Sequence, residues 1–374
     1  MFLPPARPNI ERVSPYKPGK PIEEVVRELK LKGPVIKLAS NENPLGPSPK
    51  ALAVLRKALS ESYYYPEDTC YYLRQRLTEL FKVDYESTIV GNGSVDLIYM
   101  VCTAYLDPAD ELIMTRGAFI IPKIGATIMN ARVVEIPPNN YRHDLSRMLE
   151  AITPRTKIIY IDNPINPLGT IVTKKELNDF MARVPDRVLV VLDEAYAEYI
   201  TSRDYPRGLD YYNQNHNILV LRTLSKAHGL AGLRVGYGFA KPDIIANLMK
   251  VRLPFNVNRL VQAAAIAALS DNRHIQRSRQ VNEAGKALFY QEFKRLKLFY
   301  LESFANFVFV NFPFDSQLVF EALQRKGIIT RTVKEYGFPN ALRVTVGKET
   351  ENRRFLARLE EVLEILRSSY PPKE

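Results

Sequence analysis

Seven short runs of branched aliphatic residues, each followed by a longer stretch with helical periodicity, constrain this chain more than anything else in it. They are Thr88–Val90, Glu111–Thr115, Arg132–Ile136, Lys157–Ile161, Val188–Leu192, Ile218–Thr223 and Val235–Ala240. Several are apolar at every position. A strand with one wet face alternates polar and apolar residues; a strand covered on both faces does not. Helical patterns such as Asp96–Tyr105, Lys174–Arg183 and Ile244–Val251 lie between them. Strands alternating with helices predict an α/β fold with a mainly parallel seven-stranded sheet.

The pattern changes from about residue 280. A long helix, Val281–Leu296, leads to a Phe-rich strand, Asn306–Asn311. A helix at Gln317–Lys326, strands near Ile328–Thr332 and Leu342–Val346, and a final helix from Thr350 to about Arg367 follow. This reads as a smaller α+β unit. The first forty residues read as a Pro-rich arm and one helix, Ile22–Lys30. At 374 residues the chain is long enough for two domains. We expect a large domain over 41–261, and a small one combining 1–40 with 262–374.

Composition excludes several classes. No apolar run approaches the ~18 residues of a membrane-spanning helix. The start, Met1–Pro8, has three prolines and no apolar core, unlike a secretory signal. The two cysteines, Cys70 and Cys102, have no metal-ligand spacing, so no metal is expected and a reducing cytoplasm is. The net charge of +11 is spread along the chain. It fits anionic small substrates, and no basic block interleaved with aromatics suggests nucleic acid.

Four strings carry chemistry. In the first, Thr223-Leu-Ser225-Lys226 leads to Arg234 directly after an apolar strand. Lys226 then sits at the carboxyl end of a sheet, where open α/β folds bind ligands. A lysine in a partly dry site loses its proton readily and can form a Schiff base. Thr223, Ser225 and Arg234 around it suit a phosphate. In the second, Val188–Leu192 runs into Asp193, with Tyr196 three residues on. A carboxylate at a buried strand tip needs a cationic partner, such as a protonated pyridine nitrogen; it can equally cap the next helix. In the third, Asn163-Pro-Ile-Asn166-Pro-Leu-Gly169 makes a rigid turn that can aim Asn166. In the fourth, Gly91-Asn-Gly93-Ser94-Val95 opens a helix and exposes backbone N–H groups to an anion. It lacks the third glycine of a dinucleotide fingerprint.

In this order the strings resemble the class I/II aminotransferases of fold type I, which use pyridoxal 5'-phosphate. The resemblance covers nearly the whole chain. Pro15–Pro21, Ser40-Asn-Glu-Asn43-Pro-Leu-Gly46 and the pair Arg331 and Arg343 look like the histidinol-phosphate aminotransferases. Aromatic aminotransferases and phosphothreonine decarboxylases share parts of these. The resemblance implies ping-pong transamination through a Lys226 Schiff base. An anionic amino donor such as glutamate and a keto acceptor, imidazole acetol phosphate, would take part. By the same resemblance Asp193 pairs with the pyridinium nitrogen, while Asn166 and Tyr196 hold the phenolic oxygen. Gly93, Ser94, Val95, Thr223, Ser225 and Arg234 line the phosphate end. Phe119 stacks on the ring, and Tyr65 reaches over from the other subunit of a homodimer. Tyr16, Asn43, Arg331 and Arg343 receive the substrate's anionic end. Val95, Pro122, Leu168, Leu224 and His228 depart from the family pattern, but none removes a charged or covalent group.

Overall fold

The structure is a computed structural model that describes residues 4–16 and 18–369. All seven expected runs form strands: β1 (Thr88–Gly91), β2 (Glu111–Thr115), β3 (Arg132–Ile136), β4 (Thr156–Asp162), β5 (Leu189–Asp193), β6 (Ile218–Thr223) and β7 (Gly236–Phe239). They make one sheet in the order β1-β7-β6-β5-β4-β2-β3. β7 pairs antiparallel with β1 and β6, and every other pairing is parallel.

The unbroken apolar runs follow from two cores. Along β4, Ile159 and Ile161 face one core, and Ile158 and Tyr160 the other. In β5, Val190 and Leu192 oppose Leu189 and Val191 in the same way. Helices Tyr71–Phe81, Lys174–Met181 and Arg259–Leu269 cover the first face. Helices Ser94–Tyr105, Ile121–Ile128 and Pro242–Val251 cover the second. Each fully buried Leu, Ile or Val contributes about 1.5–3 kcal/mol of transfer free energy, so both faces hold the sheet.

A second sheet is wholly antiparallel. It comprises β8 (Phe299–Tyr300), β9 (Phe307–Asn311), β10 (Arg331–Val333) and β11 (Phe338–Thr345), in the order β10-β11-β9-β8. One face packs a separate core with the helices Asn272–Arg295 and Glu349–Ser369, through Phe289, Phe293, Phe355 and Leu359. Phe309 and Val333 join the core beneath the large sheet.

Three elements differ from expectation. The strand near Ile328–Thr332 is two pieces. Ile328 and Ile329 pair in parallel with Ile36 and Lys37, whereas Arg331–Val333 pairs with β11. The long helix begins at Asn272, because the Asp271 side chain accepts the His274 N–H and caps it there. The Pro-rich arm holds a 3₁₀ turn, Pro8–Arg12, docked by Asn9 on the carbonyls of Thr127 and Ile128. The position 261 expected to divide the domains falls inside the helix Arg259–Leu269, whose Val261, Ala264 and Ala265 all face the large-sheet core.

One glycine controls how β7 meets the helix Ser94–Tyr105. A Cβ on Gly236 would lie 2.3 Å from Ser94 N and 2.6 Å from the Gly93 carbonyl carbon. Both are backbone atoms with no rotamer to yield. Gly236→Ala is expected to cost about 1–3 kcal/mol, read as a lower urea midpoint. A midpoint equal to the parent's would mean that the turn shifts freely.

Candidate active site

Neighbouring parallel strands deliver the key groups to one edge. β4 ends at Asp162 and β5 at Asp193, and these two are paired in register. β6 ends at Thr223, three residues before Lys226. Loops after parallel strands diverge and leave a crevice there. The crevice is a cavity of about 200 Å³ between the two sheets. Thirteen of the sixteen expected site residues line it: Lys226, Asp193, Tyr196, Ser94, Val95, Phe119, Asn166, Thr223, Ser225, Arg234, Arg331, Arg343 and Tyr16.

Asp193 is buried. Its carboxylate accepts the Tyr160 hydroxyl at 2.9 Å and the Ala195 N–H at 3.1 Å. No cation pairs with it among the described residues. Burial, reinforced by the neighbouring charge of Asp162, pushes it up to about 7. Lys226 Nζ donates to the Ser40 carbonyl at 3.2 Å and lies 5.7 Å from the centre of the Tyr196 ring. Burial, then the Arg343 charge, brings it down to about 8. Tyr196 accepts the Asn41 side-chain N–H at 2.8 Å, which leaves its own hydrogen to donate.

The anion end is built from three segments. Arg234 donates to Ser225 Oγ at 3.3 Å and to the Ala231 carbonyl at 3.0 Å. It forms no ion pair among the described residues. Gly93, at φ +84°, backs directly onto it: a Cβ there would sit 2.5 Å from Arg234 Nη2. Gly93 therefore supports the guanidinium from behind and is not itself in the lining. Ser94 and Val95 begin a twelve-residue helix whose positive N-terminal end meets the cavity.

The second sheet supplies the arginines. Arg331 and Arg343 are direct cross-strand partners on β10 and β11. Arg331 is ion-paired with Glu335. Arg343 is buried and donates to Asn166 Oδ1 at 2.6 Å and to the Ala39 carbonyl at 2.5 Å. Both acceptors are neutral, so this guanidinium has no carboxylate partner among the described residues. Asn166 is held by a turn in which the Gly169 N–H donates to the Ile165 carbonyl at 2.7 Å. Its N–H₂ group has no protein partner among the described residues.

Besides Gly93, two expected residues lie outside the lining. Asn43 does not line the cavity; its amide donates to the Ala227 carbonyl at 2.7 Å and Ser278 Oγ at 2.8 Å, fixing the loops behind Lys226. Asn41, two residues earlier, is the one in the lining. Tyr65 is 79% exposed and stacks on Phe255, away from its own chain's cavity. Leu168 and Leu224 are buried in the cores. His228 is buried outside the lining and brought down to about 4 by burial, hence neutral. Residues not singled out from sequence include Tyr160, Asp162 and Tyr336. Asp162 carried the same signal as Asp193, an acid at the tip of an apolar run.

A family model described as aminotransferase class I and II matches residues 33–359. The chain belongs to the class I and II aminotransferases. It is 47% identical to the histidinol-phosphate aminotransferase of Moorella thermoacetica, over 96% of this chain and 94% of that one. It is 46% identical to histidinol-phosphate aminotransferase 2 of Pseudomonas fluorescens, over 97% and 98%. The crystal structure of histidinol-phosphate aminotransferase from Sinorhizobium meliloti, in complex with pyridoxal-5'-phosphate, superposes with a TM-score of 0.89 at 25% identity, covering 98% of this chain and 99% of that one. This aminotransferase therefore has the expected fold type I architecture.

The family implies pyridoxal phosphate, and the residues present suit it. A buried carboxylate without a cation, a buried lysine brought near neutrality and an unpaired arginine at a helix N-terminus match a ring nitrogen, an aldehyde and a phosphate. Because burial and the Arg343 charge bring Lys226 down to about 8, uptake of added pyridoxal phosphate should accelerate as pH rises through about 8. Absorbance-monitored binding rates at several pH values test this. An inflexion near the ordinary lysine value, about 10.4, would mean that Lys226 is solvated.

Proposed function

We propose that this protein is a pyridoxal-phosphate-dependent aminotransferase that interconverts L-histidinol phosphate and 2-oxoglutarate with imidazole acetol phosphate and L-glutamate. The observation that carries the chemistry is the convergence of Lys226, Asp193 and Arg343 on one cavity. The choice of substrate is supported by near-full-length relatives that bear the histidinol-phosphate aminotransferase name.

When bound, pyridoxal phosphate supplies an electrophilic aldehyde and an electron-withdrawing pyridinium ring. The protein does the rest. Arg234, Ser94, Thr223 and Ser225 bind the phosphate, with backbone N–H groups at the helix start beside Gly93 and Val95. Asp193 keeps the proton on the ring nitrogen. Asn166, through its free N–H₂, and Tyr196, through its hydroxyl hydrogen, hold the phenolic oxygen. Phe119, in the cavity lining, would cover one face of the ring. Lys226 would be the amine that holds the aldehyde end, with water as the leaving group of that condensation, and once freed by the incoming amine its Nζ would hold and move the proton of the substrate Cα. Its lowered affinity for protons suits this shuttle. Arg343 and Arg331, with Tyr16 at the mouth, bind the anionic end of each substrate, since a guanidinium fork matches carboxylate and phosphate alike.

We also propose a cytoplasmic homodimer in which Tyr65 completes the phosphate end of the partner's site. Tyr63, Tyr64, Tyr65, Tyr72 and Leu253 are all exposed in the single chain, an aromatic surface that suits burial against a second copy. The domain division we propose runs at the end of helix Arg259–Leu269, with the large sheet on its N-terminal side.

Lys226→Ala should abolish transamination while leaving the fold intact; normal turnover would sink the mechanism. Arg343→Ala should raise KM for both anionic substrates by about 10–100-fold, the loss of a charged hydrogen bond worth roughly 1.5–3 kcal/mol. Separate single-turnover runs with histidinol phosphate, phenylalanine and phosphothreonine test the substrate. Bleaching of the cofactor band by histidinol phosphate alone upholds the assignment, and equal bleaching by phenylalanine replaces it with a broad aromatic enzyme. Light scattering should give twice the chain mass, and a monomer would remove the role of Tyr65.

A further inference from the structure

Asp162 lies at the cavity beside Asp193, yet no step above uses it. Its two oxygens have different surroundings. Oδ2 accepts two backbone N–H groups, from Asn166 at 2.8 Å and from Phe119 at 3.3 Å. These belong to separate segments. Phe119 precedes the helix Ile121–Ile128, and Asn166 sits in the turn after β4. Oδ1 is buried with no hydrogen-bond donor among the described residues.

The nearest cation candidate is His143, whose Nε2 is 3.6 Å from Oδ1. That ring is committed elsewhere. Nε2 lies 2.8 Å from the Asp162 carbonyl and Nδ1 lies 2.6 Å from Thr115 Oγ1. A carbonyl only accepts, so Nε2 carries the hydrogen and the Thr115 hydroxyl donates to Nδ1. Burial keeps His143 down at about 4, so it is neutral and offers no ion pair. What His143 does is pin the main chain of Asp162 itself.

Burying a carboxylate without a cation is costly unless hydrogen bonds hold it. The two bonds found here both go to residues assigned above to the cofactor ring. We infer that Asp162 is a positioning residue: by tying Phe119 and Asn166 to one oxygen, it sets the distance between the residue that covers the ring face and the residue that holds its phenolic edge. The inference rests on the cofactor reading given above. Nothing in it requires Asp162 to touch substrate or to exchange a proton.

The test compares the parent with Asp162→Ala and Asp162→Asn. Asn keeps an acceptor oxygen in place of Oδ2; Ala removes it. The readouts are the dissociation constant for pyridoxal phosphate by equilibrium dialysis, the circular dichroism of the bound chromophore, and the melting temperature of the cofactor-free proteins. Asp162→Ala should weaken cofactor binding about tenfold, the scale of one or two lost hydrogen bonds, and should diminish the dichroism. Asp162→Asn should hold the constant within about threefold and keep the dichroism. A folded Asp162→Ala with parent affinity and dichroism overturns the inference. So does Asp162→Asn weakened as much as Asp162→Ala, because charge and not the tie would then be at work. If Asp162→Ala does not fold, Asp162→Asn decides alone on the same criterion. A parent that takes up no pyridoxal phosphate, with no borohydride-trapped mass increase on Lys226, defeats the cofactor reading and the inference with it, whereas a parent that binds the cofactor leaves the two variants to decide on Asp162 alone.

Discussion

The site depends on charges buried without partners of opposite sign. Among the described residues, Asp193 and Arg343 each sit in the protein interior with only neutral hydrogen-bond partners, and Lys226 nearby donates only to a carbonyl. Such groups destabilise an ordinary core. Here they face one cavity, so a ligand carrying a cationic ring nitrogen, an aldehyde and acidic groups would satisfy them together. The raised value of Asp193 and the lowered value of Lys226 express the same desolvation acting on opposite charges.

The two sheets divide the labour. The parallel sheet supplies the groups that would hold the cofactor, because β4, β5 and β6 end side by side and their loops open over the same edge. The antiparallel sheet supplies the groups that would hold the substrate, because β10 and β11 place Arg331 and Arg343 directly opposite each other. Arg343 joins the halves: its guanidinium bonds Asn166 from the large-sheet side and Ala39 from the segment leading to the Asn41 loop. An anion that binds Arg343 thus acts on the residue assigned to the phenolic oxygen. Asn41 makes a similar link, joining Tyr196 to Thr345 on β11.

The central strands were legible because burial on both faces leaves an unambiguous trace, and the continuous runs of β4, β5 and β6 are split between two cores as that trace implies. Lys226 and Asp193 were legible for a related reason: a charged residue that ends such a run has to lie at the sheet edge. Other features left weaker traces. The helix Pro49–Ala58 is marked by a Ser48 cap and Pro49 in its first turn, but its residues are mixed in character. Asn41 and Asn43 are two residues apart in one loop, and only the path of that loop decides which amide turns toward Tyr196 and which toward Ser278.

By itself the sequence determined the seven-stranded sheet, the edge at which chemistry collects and the identity of the groups gathered there, because local periodicity and strand ends are written residue by residue. The tertiary structure alone decided which groups meet. The pairing of Arg331 with Arg343 is a matter of strand register, the tie from Asp162 to Phe119 and Asn166 spans three segments, and the exclusion of Asn43 depends on a helix more than two hundred residues away. Contacts of that separation arise from packing, which no short stretch of sequence encodes.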